Sequence, residues 1–203
     1  PNYGEFYEKR QFSAPDGSVK NLYADFFAEK VPFGTDIIFS HNTLGNYTFG
    51  VEICEDLWAS CPPSEKLSEN GALIIANPSA SDEVIGKEDY RRLLVSSTSA
   101  RLICGYVYSN AQYTESTQDM VFSAHHIIGE NGSLLAQSKP FEKNDFIVSE
   151  IDVNRLTSER HKNTSFISGK YDGFRYIGFD QPVRDTKLTR QFEKNPFVPS
   201  DSG

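Results

Sequence analysis

The sequence predicts a layered α/β fold built on a mixed sheet. Three observations carry this. Residues 71–77, GALIIAN, form a continuous apolar run bounded by Gly and Asn-Pro, as expected of a strand covered on both faces. Residues 87–101, KEDYRRLLVSSTSAR, space apolar or small side chains at helical intervals. Four further strand-like segments follow that helix, so the order is strand, helix, strand and then a run of strands.

Taken in order, residues 1–12 read as a loop leading into a short structured turn. Residues 14–19, APDGSV, carry the Pro-Asp-Gly signature of a tight turn. Residues 35–40 and 47–54 read as two strands joined through HNTLGN, a hairpin. The strand over 71–77 comes next, then the helix over 87–101. Tyr90, Leu93, Leu94, Ser97 and Ala100 form the helix face expected against the sheet, while Glu88 pairs with Arg91 and Arg92 on the wet side. Strands are expected over 104–110, 120–129, 134–138 and 145–152, with a hairpin turn at GENGS, residues 129–133. Residues 152–160 read as a short helix. Beyond Phe179 the chain turns polar, with Pro182, Pro196 and Pro199, and reads as a linker leading away from the domain.

Composition bounds the function. The 203 residues suit one domain or a large part of one. With 15 Phe and 10 Tyr the chain can fill a sizeable core, and its 24% charged residues are ordinary for a globular protein. The net charge of −8 argues against binding nucleic acid or an anionic membrane, both of which need a basic surface. No apolar run approaches the roughly 20 residues of a membrane span. Three irregularly spaced cysteines make neither a disulfide framework nor a zinc pattern, and a reducing cytoplasm is the expected setting. The chain opens on PNYGEFYEKRQF, dense in aromatic residues and without a leader, which reads as a start in the middle of a fold.

One cysteine stands apart. Cys61, before Pro62 and Pro63, and Cys104, in an apolar strand, read as inert packing, the usual state of a free cysteine. Cys54 lies where a strand ends and the chain turns, followed at once by Glu55 and Asp56. Strand-end turns suit nucleophiles, because backbone N–H groups beyond them can bind an oxyanion. Neighbouring carboxylates work against the thiolate that attacks, so a compensating cation or base must come from elsewhere. The four histidines, His41, His125, His126 and His161, read as surface or strand residues in no recognisable protease setting. A lysine–carboxylate system is the chemically sensible partner.

These residues resemble a known family. GVEICEDLW is similar to the nucleophile segment of the nitrilase superfamily and, more narrowly, of the glutaminase domain of glutamine-dependent NAD synthetases. PNYGEFYEKRQF, the stretch from ANPSASDEVIGKEDY to CGYVYSN, and ESTQDMVFSAHHIIGENGSLLAQS agree in the same order, and FEKNPFVPSD resembles the passage into the synthetase domain. The resemblance implies a nitrilase-like α-β-β-α sandwich, incomplete because its opening strands and helices are missing. Residues 1–180 would be the C-terminal part of the glutaminase domain and 181–203 a linker toward a missing synthetase domain.

The family's triad is Glu–Lys–Cys, and the resemblance makes Cys54 the nucleophile, with the Glu55 N–H as an oxyanion donor. Glu8 matches the additional glutamate that supports the triad. Tyr3, Glu55, Ser81 and Lys87 match positions that hold the substrate, with Glu55 on the α-ammonium of glutamine; Lys87 stands where some members have arginine. The triad's lysine and first glutamate would fall upstream of Pro1, so this stretch alone is expected to be inactive. The implied partners are glutamine, the synthetase domain of the same polypeptide and further copies in a homo-oligomer, with no nucleic acid and no membrane. ATP and Mg would belong to the synthetase domain, with no cofactor and no metal here. Two alternatives stay open: a stand-alone nitrilase-superfamily amidase and a non-catalytic nitrilase-like interaction module.

Overall fold

Alternating side chains and tight turns build most of the ladders in the computed structural model, which describes residues 13, 22–143, 146–166, 169, 173–184 and 188–190. Leu22–Phe26 (β1) and Glu29–Phe33 (β2) pair only with each other, antiparallel. Ile37–His41 (β3) and Thr48–Val51 (β4) form the expected hairpin. A 3-10 turn, Cys54–Trp58, and a short helix, Pro63–Glu69 (α1), lead to Ile74–Pro78 (β5). Pro63 opens α1 at a position where its missing N–H costs nothing. Lys87–Arg101 (α2) connects to Gly105–Ser109 (β6). Ile127–Glu130 (β7) and Ser133–Gln137 (β8) pair antiparallel around Asn131 and Gly132, both at positive φ as a tight hairpin turn requires. Val153–Lys162 (α3) begins at Asp152, whose carboxylate caps the Arg155 N–H, and Arg175–Phe179 (β9) completes the sheet.

The seven-stranded sheet runs β8-β7-β6-β5-β4-β3-β9, with β4, β5 and β6 parallel at its centre. Register divides it into two faces. Ile38, Gly50, Ile75, Tyr106 and Ile127 share one face, and α1 and α2 pack on it with Leu67 and Val95 in a fully buried core. Phe39, Phe49, Ile74, Ala76 and Val107 share the other face and are only half-buried. The strand at β5 is therefore covered completely on one face only.

Several expectations change. Residues 120–126 and 146–152 join no ladder, and Ala124 in the first stretch has a φ of 55°. β7 is paired by β6 and β8, and residues 146–152 add no strand to that ladder. They pass over the sheet instead, with Ile151 against Gly105, where a Cβ would come within 2.8 Å. In α2 the expected inner face is only partly right: Leu94 packs against the core, but most of its other members point outward. Tyr90 is 49% and Leu93 61% exposed, while Arg91, Val95, Thr98 and Ser99 are buried. Arg91 is not on the wet side: it is fully buried, and ion pairing makes that burial tolerable. Thr189 and Arg190 lie against the body, bonded to Glu150 and Glu130. The expected turn over 14–19 lies outside the described residues.

Candidate active site

The carboxyl ends of the central parallel strands meet at one edge of the sheet, where open α/β folds bind ligands. Cys54 stands three residues past β4 with φ of 51°, the left-handed region that a non-glycine residue enters at a cost of about 1–3 kcal/mol. Local bonds hold it there. The Ile53 N–H donates to the Asp56 carboxylate at 2.8 Å, and the Asp56 N–H returns to the Ile53 carbonyl at 3.1 Å. The Cys54 N–H donates to Asn77 Oδ1 at 3.1 Å.

Cys54 opens on a cavity of about 370 Å³, within the size range of small-molecule sites. Glu55, Trp58, Ser81, Lys87 and Tyr90 also line it. Lys87 Nζ donates to Asp82 Oδ1 at 2.5 Å, so the wall carries a cation and carboxylates of both flanking segments. Cations and anions side by side suit a zwitterionic ligand.

A buried polar network lies beneath the nucleophile. Asn77 Nδ2 donates to Tyr106 Oη at 3.0 Å; Tyr106 Oη donates to Glu52 Oε1; and Glu52 Oε2 accepts the Ser64 N–H at 2.8 Å. Burial raises the Glu52 carboxyl above its ordinary range, against the lowering effect of these donors. Burial likewise lifts the Tyr106 phenol.

A second network backs the Ser81 wall. Asn110 Oδ1 accepts the Ser81 N–H at 2.8 Å and Nδ2 donates to the Ser81 carbonyl at 3.1 Å. Arg91 Nη1 donates to Glu83 at 3.1 Å and to His125 Nδ1 at 3.0 Å. With Nδ1 accepting, the His125 proton sits on Nε2. Burial, then the Arg91 charge, holds the His125 pKa down at about 4.

Of the residues singled out from sequence, Cys54, Glu55, Ser81 and Lys87 line the same cavity, and Tyr3 and Glu8 lie outside the described residues. Cys61 is exposed; Cys104 is fully buried, its thiol pushed up to about 12 by burial. His41, His125 and His126 are buried. Sequence reasoning passed over Glu52, Asn77, Tyr106, Asn110 and Arg91. One signal was available for Glu52: Thr48, Gly50 and Glu52 alternate inward, which puts a carboxylate at a core position. Among the described residues no group of three or more His, Cys, Asp or Glu side chains could hold a metal ion, and no helix is long and apolar enough to cross a membrane.

No family model matches the chain. The glutamine-dependent NAD(+) synthetase of Mycobacterium tuberculosis is 39% identical over 210 residues, covering 99% of this chain and 31% of the relative. The chain thus spans less than a third of the length of the curated relatives it matches most fully. Among solved structures, a glutamine-dependent NAD(+) synthetase from Cytophaga hutchinsonii superposes with a TM-score of 0.53 at 33% identity, covering 70% of this chain and 22% of that one. Saccharomyces cerevisiae Nit3, a member of the nitrilase superfamily, shares the fold alone, with a TM-score of 0.50 at 22% identity over 58% of this chain and 42% of that one. With Cys54 at the mouth of the parallel strands, the chain is similar along nearly all of its length to glutamine-dependent NAD synthetases and has the nitrilase-like fold.

Proposed function

We propose that the chain is the glutaminase part of a glutamine-dependent NAD synthetase, with Cys54 as its nucleophile. The observation that carries this reading is Cys54 in a left-handed strand-end turn, opening on a cavity that also presents Glu55, Ser81 and Lys87. The thiolate attacks the side-chain amide carbon of glutamine and a C–S bond forms. The C–N bond then breaks, the nitrogen takes a proton, and ammonia leaves. Water attacks the thioester, the C–S bond breaks, and glutamate departs with the thiolate restored. Glu55 binds the α-ammonium, Lys87 and Ser81 hold the other end of the amino acid, and the Glu55 N–H faces the oxyanion. Tyr3 adds to the substrate site and Glu8 supports the acid–base chemistry. The triad's glutamate and lysine find no match within residues 1–203, so their steps are not assigned to this stretch. Residues 1–180 form the glutaminase part and 181–203 the link to a synthetase part, which uses ATP with Mg²⁺ to amidate deamido-NAD. The whole acts as a cytoplasmic homo-oligomer.

The test compares NAD formation from glutamine with formation from free ammonium in the complete polypeptide. Ammonium enters after the glutaminase step and bypasses the cavity. Cys54→Ala is expected to abolish the glutamine-driven rate and spare the ammonium-driven one. Glu55→Gln removes a charge-assisted contact worth about 1.5–3 kcal/mol and lowers the glutamine-driven rate at least about tenfold, again selectively. Residues 1–203 alone are expected to release no ammonia. Glutamine-driven synthesis that survives Cys54→Ala would overturn the reading.

A further inference from the structure

Two asparagines stand in the same relation to two different walls of the cavity. β4 and β5 pair through Val51 and Ala76, and the last backbone bond between them runs from the Glu52 N–H to the Ala76 carbonyl. Beyond it the Cys54 peptide meets the Asn77 side chain of the next strand instead: Oδ1 accepts the Cys54 N–H at 3.1 Å, and Nδ2 comes within 3.4 Å of the Cys54 carbonyl. One strand over, β5 and β6 pair as far as Pro78 and Ser109, and the Ser79 N–H still reaches the Ser109 carbonyl. Beyond that the Ser81 peptide meets the Asn110 side chain, which accepts the Ser81 N–H at 2.8 Å and donates to its carbonyl at 3.1 Å. In both places a side-chain amide replaces the peptide group that a longer neighbouring strand would have supplied.

The two amides are themselves fixed. Asn77 is 1% exposed; its Oδ1 also accepts from Ser79 Oγ at 2.6 Å, and its Nδ2 is oriented by Tyr106 and, through it, by Glu52. Asn110 is 5% exposed, and its own N–H donates to His126 Nδ1 at 3.1 Å. Each amide orientation is dictated by partners that can only donate, the N–H groups of Cys54 and Ser81. Nothing about covering the core requires asparagine here. A buried amide without partners is costly, and both positions spend their hydrogen bonds on the backbone of a cavity residue.

We propose that Asn77 and Asn110 are positioning residues with divided tasks: Asn77 holds the nucleophile Cys54 in its left-handed turn, and Asn110 holds Ser81 on the substrate wall. The proposal rests on the glutaminase reading given above. Misplacing a nucleophile lowers the chemical step, whereas misplacing a binding wall weakens substrate binding.

The experiment measures steady-state glutamine hydrolysis by the complete polypeptide, together with hydrogen exchange at the Cys54 and Ser81 amides. Asn77→Ala is expected to lower kcat at least about tenfold with KM within about threefold, and to speed exchange at the Cys54 amide. Asn110→Ala is expected to raise KM at least about tenfold with the larger share of the effect in KM, and to speed exchange at Ser81. Asn77→Asp and Asn110→Asp keep the acceptor and lose the donor; they give the same crossed pattern at smaller amplitude and serve where an alanine variant does not fold. If kcat and KM move together in both asparagine series, or if neither moves, the division of tasks is wrong. A wild-type protein that does not hydrolyse glutamine would instead refute the glutaminase reading, and the two failures are told apart before any variant is made.

Discussion

Cys54 and His125 show how single residues here depend on partners that are distant in sequence. Cys54 keeps a left-handed backbone because Asn77, 23 positions later, takes its N–H. His125 lies against Arg91, 34 positions earlier, and accepts from it through Nδ1. Protonating Nδ1 would set two cations face to face in a buried site, and burial with the Arg91 charge keeps the His125 pKa at about 4, below its ordinary 6.5. A group whose folded pKa is depressed adds stability above its unfolded value and loses it as pH falls toward the folded one. The fold therefore loses stability through His125 as pH falls from about 6.5 toward 4, where the unfolded chain takes up a proton that the folded site resists. Glu52 runs the other way: its raised pKa gives stability below the ordinary 4.5 that disappears as pH rises through the folded value. Urea denaturation at about pH 7 and about pH 4.5 should show a smaller acid loss for His125→Gln than for the parent chain. Equal losses in both would remove His125 as the cause.

At the scale of elements, helix packing decides which leucines count. α1 approaches β4 closely because Gly50 has no side chain; a Cβ there would lie 2.9 Å from Leu67 Cδ2. Leu67 is 1% exposed in that contact. Leu93 sits at good helical spacing in α2 but is 61% exposed, because Arg91, Val95, Thr98 and Ser99 take the inner face. Leu67→Ala should cost about 2–5 kcal/mol, the price of a cavity in a packed core. Leu93→Ala should stay within about 0.5 kcal/mol. Denaturant midpoints measured on the two variants check the assignment, and similar losses for both would put the helix the other way round.

Across the whole molecule the sheet is covered unequally. The face carrying Ile38, Ile75 and Tyr106 lies beneath α1 and α2, while Phe39, Phe49, Ile74, Ala76 and Val107 on the opposite face remain half-buried. The β1–β2 ladder adds Tyr23 and Phe26, each 61% exposed, and Phe27, 94% exposed. Exposed apolar surface of this kind marks a contact surface or an aggregation liability, since each wet square ångström forgoes about 25 cal/mol. The 203-residue chain expressed alone is expected to self-associate at micromolar concentration, measured by sedimentation velocity. A monodisperse monomer with a sharp, high-temperature melt would contradict this.

The sequence by itself determined the α/β class, the β3–β4 and β7–β8 hairpins, the bounds of α2 and the strand-end place of Cys54. Each rests on local chemistry: apolar runs, turn residues and spacing act within a few positions of one another. Of the strand expected over 145–152, the described residues 146–152 join no ladder and pass over the sheet instead, with Ile151 against Gly105. Polarity within α2 likewise misdirected the choice of face, since a buried Arg91 is legible only once Glu83 and His125 are seen beside it. The cavity depended on the tertiary structure in the same way. Cys54, Ser81 and Asn110 come together only because β4, β5 and β6 lie parallel and end at one edge, and the amides that hold the first two belong to neighbouring strands. Periodicity records which side of a strand is covered; which strand lies next to it is set by the packing of the whole sheet.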